Sequence, residues 1–237
     1  MYDAADLESI LKATLNVQTA MESDPKIGLF TNFRRGAAIV GMLYAEQPVE
    51  KPSAFDSFLS LSSLLQTILP TTNGTLSSLV QTLYQFHPPE DGKRAVTTLT
   101  TKPSQELYTD IYRSWQVTTG GLAPGVDLHF TIQPIDTACV QAGQDRGFVF
   151  TVEWLSDEDD SSVYAANAAI TEASHRLAEE EGLRLPFLCL SFAGASQKAL
   201  SSYGADSLKL LQDTARTYDS AGLLQNLQND GFLLRNL

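Results

Sequence analysis

The sequence predicts an α+β fold, in which an antiparallel or mixed sheet of about five to seven strands carries helices on one face. The first observation is that apolar and polar residues alternate in two runs within residues 126–155, as they do in strands with two unlike faces. The second is that tight strand pairs are separated by helical patterns, which favours antiparallel pairing.

The two runs within residues 126–155 define the two faces of the predicted sheet. The apolar residues, which we expect helices to cover, are Leu128, Phe130, Ile132, Phe148, Phe150, Val152 and Trp154. The opposite face carries His129, Thr131, Gln133, Thr151 and Glu153, which are polar without being uniformly charged. Such a face either lies open to water or lines a pocket, and we predict a substrate cavity on it.

The other elements follow from the same periodicities, taken in chain order. Helices are predicted at residues 6–22, 54–61, 75–85, 104–117, 163–180 and 207–218, where apolar residues recur at helical spacing. Strands are predicted at residues 27–34, 37–46, 94–101 and 186–192, which are rich in apolar and β-branched residues. We expect residues 1–200 to form a substrate-binding type of α+β domain, followed by a C-terminal helix and tail at residues 201–237.

Composition limits the classes of function. The chain has 237 residues and a formal net charge of −12, with only 16 lysines and arginines, so it does not suit a nucleic acid or an anionic membrane surface. Its first residues are acidic rather than signal-like and no window is apolar enough for a membrane span, so we expect a cytoplasmic protein. Cys139 and Cys189 are expected to be reduced core residues.

Several short segments occur in an order typical of one enzyme group. They are Asp24-Pro-Lys-Ile-Gly-Leu-Phe30, Ile132-Gln-Pro-Ile135, the stretch 152–160, Leu190-Ser-Phe-Ala193, Ser202-Tyr-Gly-Ala-Asp206, the stretch 218–225 and Asn229-Asp-Gly-Phe232. In this order the chain resembles the substrate domain of fungal FAD-linked oxidoreductases, the berberine-bridge-enzyme-like group of the vanillyl-alcohol-oxidase superfamily. The resemblance covers nearly the whole sequence.

This resemblance implies an antiparallel sheet with helices outside and a substrate cavity on the inner face, over the flavin. It also implies a preceding FAD-binding domain of roughly two hundred residues, a usual domain size, and a C-terminal segment that packs against it. The present sequence has no Gly-rich pyrophosphate loop and no motif for covalent flavin attachment. It also departs from the family at positions that the resemblance places near the flavin. Ser191-Phe192 replaces the family's Asn-Tyr, Tyr218-Asp219-Ser220 replaces its Tyr-Asp-Pro, and the connection at residues 142–147 is shorter than in the family.

These features together predict an enzyme that uses no cofactor. We expect a cyclase or isomerase, for example a pericyclic enzyme of the Diels–Alder type, that acts on a small apolar secondary metabolite. Tyr44, His129 and Glu153 are the candidate catalytic residues: Tyr44 as a donor to a carbonyl, and His129 or Glu153 as the group that moves a proton. The candidate substrate-binding residues are Asn32, Met42, Thr131, Gln133, Thr151 and Ser191.

Other interpretations remain open at this stage. His129 and Glu153 can equally be a structural residue and a solvated cross-strand partner. The chain can be a non-catalytic module, a module that pairs with a separate flavin-binding chain, or a fragment of an intact oxidase. A homodimer is expected for both the enzyme and the module, since an uncovered apolar surface favours self-association. No metal site is expected, because the three histidines lack metal-ligand spacing.

Overall fold

The computed structural model describes residues 1–48, 50–85, 92–135 and 147–237. The expectation for Cys139 and most of the short 142–147 connection therefore lie outside the described residues.

A single antiparallel sheet of seven strands organises the described residues, which confirms the predicted α+β class. Its order is β1-β3-β2-β5-β6-β4-β7. The strands are β1 Tyr2–Asp3, β2 Ile27–Arg34, β3 Ala37–Tyr44, β4 Lys93–Thr101, β5 Asp127–Gln133, β6 Gly147–Trp154 and β7 Arg184–Leu185. The predicted strand pair of residues 126–155 thus lies at the centre of the sheet.

The described residues form seven α-helices, and the three long ones that contact the sheet, the first, fourth and fifth, pack on one face of it. The seven helices are α1 Leu7–Met21, α2 Asp56–Leu59, α3 Leu76–Tyr84, α4 Gln105–Gly120, α5 Asp160–Glu180, α6 Ala205–Tyr218 and α7 Leu223–Leu227. A side chain caps the start of α4: the Leu107 backbone N–H donates to Ser104 Oγ at 3.1 Å. Long α1, α4 and α5 bury apolar side chains, whereas α3, α6 and α7 bury none.

The packed face holds the apolar residues predicted for it. All seven apolar residues of the two central runs are buried. The Trp115 indole N–H of α4 donates to the Leu128 carbonyl at 2.9 Å, and the Phe33 ring meets the Tyr112 ring edge-on at 5.1 Å between centroids. Burial of each such large side chain stabilises the fold by about 1.5–3 kcal/mol. The opposite face of the sheet is thereby left for polar side chains.

The predicted strand at residues 186–192 does not form. Strand β7 ends at Leu185, and the chain enters a 3-10 turn at Leu190–Phe192. Pro186 has no N–H for a ladder, and the backbone N–H of Leu188 donates instead to Ser202 Oγ at 2.9 Å. A side chain that follows in sequence thus accepts the hydrogen bond that a carbonyl of a neighbouring strand would otherwise accept.

In the described part of the chain, no helix combines the length and the apolar character needed to cross a membrane.

Candidate functional site

Cross-strand register gathers polar residues on the sheet face opposite the helices, which we call the open face. Asp127 pairs with Glu153, His129 with Thr151, and Asn32 with Thr131. Side chains of paired residues point to the same side of an antiparallel sheet. The open face is formed by Phe30, Asn32, Arg34, Ile39, Gly41, Leu43, Arg94, Val96, Thr98, Asp127, His129, Thr131, Gln133, Val149, Thr151 and Glu153.

The Asn32 side chain is the centre of the polar network. Its Nδ2 donates to Thr131 Oγ1 at 2.7 Å and lies 2.8 Å from His129 Nδ1, and its Oδ1 accepts from Arg34 Nε at 3.2 Å. A guanidinium can only donate, so Oδ1 must face Arg34 and the amide N–H₂ must face the histidine. His129 Nδ1 is therefore an acceptor, and the neutral ring carries its proton on Nε2.

His129 is buried in this network beside the half-buried Glu153. His129 is 8% exposed, and its Nε2 lies 3.8 Å from Glu153 Oε2 without a hydrogen-bond partner among the described residues. On its other side Glu153 accepts from Arg94, whose Nε donates to Oε1 at 2.8 Å. The Arg34 guanidinium likewise pairs with Asp127 at 2.8 Å. Two ion pairs thus flank one neutral imidazole.

Burial sets the charge of this imidazole. Desolvation, followed by the nearby positive charge of Arg34, lowers the pKa of His129, and the carboxylates of Asp127 and Glu153 only partly oppose this. Near neutral pH the ring is therefore uncharged. An uncharged imidazole with a buried Nε2–H is suited to donate a hydrogen bond rather than to supply a positive charge.

The donor atoms of Asp127, His129 and Glu153 lie within 4.8 Å of one another, a spacing that also suits a divalent cation. The protonation of the cluster does not fit one. A metal needs the Nε2 lone pair, whereas the orientation of Asn32 keeps a proton on that atom. In addition, arginines already neutralise both carboxylates.

The structure does not bring two of the predicted residues to this site. Tyr44 and Met42 pair with Ile27 and Leu29 and pack against the core on the helix-covered face. The Tyr44 hydroxyl donates to Asp24 Oδ2 at 2.9 Å and borders a depression of about 330 Å³ at that side of the molecule. The expectation that Tyr44 acts together with His129 is corrected by this register.

The remaining predicted residues fall into two groups. Thr131 and Thr151 adjoin His129, while Gln133 lies at the end of β5 opposite Gly147, all half-buried or at the edge of the network. Ser191 is exposed in the 3-10 turn that follows β7, on the far side of β4. The turn contacts β4, and β6 and β4 therefore lie between it and the strand that carries His129.

Sequence reasoning missed three charged residues of the cluster, Arg34, Arg94 and Asp127. No sequence motif marks these residues, and only the pairing of the strands identifies them. When β5 and β6 pair with their apolar faces aligned, Asp127 lies opposite Glu153. Arg94 then comes opposite Glu153 from the other neighbour, β4.

Curated relatives of the chain are fungal enzymes. It is 28% identical over 98% of its length to an FAD-dependent monooxygenase of Arthrobotrys oligospora, and 28% identical over 78% to one of Aspergillus niger. It is also 25% identical over 89% of its length to the bifunctional solanapyrone synthase of Alternaria solani. The chain spans 48%, 35% and 42% of these proteins, respectively. No protein-family model matches the sequence.

Solved structures with the same fold include a moss protein and a bacterial oxidase. The Physcomitrella patens BBE-like 1 protein superposes with a TM-score of 0.66 at 10% identity, covering 98% of this chain and 52% of that protein. The 6-hydroxy-D-nicotine oxidase of Arthrobacter nicotinovorans superposes at 0.64 with 13% identity, covering 93% of this chain and 50% of that protein. The chain is thus a homologue of fungal FAD-dependent monooxygenases, and it shares its α+β fold with about half of the BBE-like 1 protein.

Proposed function

We propose that the chain is an enzyme of secondary metabolism that moves a proton on a small, largely apolar metabolite, in a redox-neutral cyclisation or isomerisation. The observation that carries this proposal is the buried, unpartnered Nε2–H of neutral His129 beside the carboxylate of Glu153. A donor and a base on one face are what the movement of a proton next to a carbonyl group requires.

In this mechanism the two residues have separate roles. His129 Nε2–H donates to the carbonyl oxygen of the substrate and stabilises the negative charge that develops there. Glu153 accepts the proton from the neighbouring carbon and returns it at the new position, so that no electrons leave the substrate. Removing one donor of this type typically costs about 10²–10³ in rate, and a general base contributes about 10²–10⁴.

The apolar part of the open face supports the substrate class. Phe30 is 37% exposed and Leu43 is 48% exposed, next to the polar network. The Phe30 ring covers Gly41, where an added Cβ would be only 2.1 Å from a ring atom. A flat apolar surface beside two hydrogen-bonding groups suits a polyketide-like or aromatic molecule with a carbonyl or hydroxyl group.

A second candidate function is the substrate-binding half of a flavin oxidoreductase. It is favoured by the names of the relatives, which are FAD-dependent monooxygenases, and by the exposed leucines of α6 and α7, such as Leu210 and Leu224, which a further domain or chain would cover. FAD, when bound, would supply hydride acceptance. The sequence itself offers no pyrophosphate-binding loop, so this candidate requires the flavin site to come from outside residues 1–237. Within it, His129 and Glu153 would still orient the substrate and take up its proton.

One experiment separates the two candidates. The purified chain is incubated with carbonyl-bearing intermediates of a fungal secondary pathway, with and without added FAD, and the products are analysed by mass. A product of unchanged mass without FAD is expected under redox-neutral chemistry. A product that has lost two hydrogens, or a visible flavin absorption band in the purified protein, would overturn that proposal in favour of the second candidate.

A further inference from the structure

We infer that Asn32 is a positioning residue that holds His129 in the Nε2–H tautomer, and that the open face consequently selects ligands through an acceptor oxygen, such as an enolate or phenolate oxygen. This deepens the proposed function and rests on it for its catalytic meaning. The tautomer itself is a property of the free protein and can be measured independently.

The first step concerns the orientation of the Asn32 amide. Both N–H bonds of its Nδ2 are used, one toward Thr131 Oγ1 and one toward His129 Nδ1. Turning the amide over would place its N–H₂ against Arg34 Nε, so that two donors would meet at 3.2 Å. The β2–β5 ladder, which pairs Asn32 with Thr131, holds all of these groups in place. The amide therefore has one orientation.

The second step concerns what His129 offers. With Nδ1 accepting from Asn32, the ring presents Nε2–H, which is buried and has no partner among the described residues. Glu153 Oε2 is 3.8 Å away, beyond the roughly 3.2 Å of a normal N–H···O bond, and Arg94 holds the other carboxylate oxygen. We assign the missing partner of this N–H to an acceptor oxygen of a ligand, which reaches Nε2 when the half-buried Glu153 side chain moves aside.

The third step concerns the charge of that acceptor. Arg34 and Arg94 lie on either side of the imidazole, while each is paired with a carboxylate, Asp127 or Glu153. A metal cation finds no lone pair on Nε2, and an amine or ammonium group would meet a donor there. Because each guanidinium group is already paired with a carboxylate, the selection rests on the Nε2–H, from which a carbonyl, enolate or phenolate oxygen can accept.

The tautomer is tested by long-range proton–nitrogen NMR on the full chain, which distinguishes a protonated from an unprotonated ring nitrogen. We expect wild-type His129 to be protonated at Nε2 and unprotonated at Nδ1. In Asn32→Asp, the new carboxylate accepts from the ring, so Nδ1 should become protonated. The matched control is Asn16→Asp, the same change at an exposed position of α1, which should leave the His129 signals unchanged. A wild-type ring protonated at Nδ1 alone would overturn the inference, even if Asn32→Asp failed to fold.

The ligand class is tested with two probes of the same shape, 4-nitrophenolate and 4-nitroaniline, whose binding is followed by absorbance and by the His129 signals. We expect 4-nitrophenolate to bind about tenfold more tightly, and Asn32→Asp to abolish that preference. Equal affinities in the wild type would overturn the ligand class, and so would saturation of Nε2 by equimolar Zn²⁺. Absence of any turnover, together with the expected tautomer and preference, would overturn the proposed function while leaving this inference intact.

Discussion

Replacing Glu153 with Gln separates a catalytic from a structural role for this residue. The amide keeps the size of the side chain, and its oxygen can still accept from Arg94, which now donates to Oε1 at 2.8 Å. What is lost is the negative charge of a pair whose arginine side chain is 43% exposed. For such a solvent-accessible pair the cost in unfolding free energy is about 0.2–1 kcal/mol. The loss of a base, in contrast, should lower the rate by about 10²–10⁴.

The assay compares turnover of the redox-neutral substrate with urea-induced unfolding of the same preparation. We expect kcat of Glu153→Gln to fall by at least about a hundredfold while the unfolding midpoint hardly moves. Glu158→Gln, at an exposed position just before α5, is the control that should change neither quantity. Unchanged kcat in Glu153→Gln, or a loss of stability well above 1 kcal/mol, would refute the role assigned here, because either result describes a structural ion pair.

Three further predictions concern stability and assembly. Burial lowers the pKa of His129 and of His175 below the ordinary value of 6.5. Below that pH the unfolded chain takes up protons that the folded chain does not, so the unfolding free energy should fall as the pH drops from about 7. In urea titrations His129→Gln should make this fall shallower, and an unchanged slope would contradict the prediction. Trp115→Phe removes the buried hydrogen bond to the Leu128 carbonyl and should cost about 1–3 kcal/mol of unfolding free energy, whereas the exposed Val117→Ala should cost far less. Leu224→Glu places a charge on the exposed apolar surface of α7, and we expect it to shift the predicted homodimer toward monomer in light scattering. A wild-type chain that is already monomeric, or a variant that remains dimeric, would contradict this prediction.

Alternation along a strand decided which parts of the site were predictable. In β5 and β6 polar and apolar residues alternate, so the sequence alone assigns His129, Thr131 and Glu153 to one face, as the structure confirms. Strand β3 reads Ala-Ala-Ile-Val-Gly-Met-Leu-Tyr, in which both faces are apolar. Such a run carries no facing signal, and Tyr44 was therefore grouped with the wrong side of the sheet.

The predicted strand at residues 186–192 failed for a related reason. A short apolar run identifies buried backbone but does not show where its hydrogen bonds go. Here the bonds go to side chains that follow in sequence, such as Ser202 for Leu188 and Tyr203 for Leu190. Pairing partners that lie in a neighbouring loop cannot be recognised from periodicity. For the same reason the sequence did not predict Arg34 and Arg94 as site residues, because their ion pairs depend on the cross-strand register.

The orphan donor of His129 argues against a purely structural cluster. The other buried side-chain atoms without a partner among the described residues are oxygens, in Gln18, Ser57, Thr100, Thr101 and Thr119. A hydroxyl can rotate its hydrogen toward whatever acceptor is near, and an oxygen can be left without a donor at modest cost. The Nε2–H of a ring held by Asn32 can do neither, and leaving it unpaired costs about 1–3 kcal/mol. Because the Arg34 contact fixes the Asn32 amide, this donor stays on the ring, and a ligand oxygen is the partner that we propose for it.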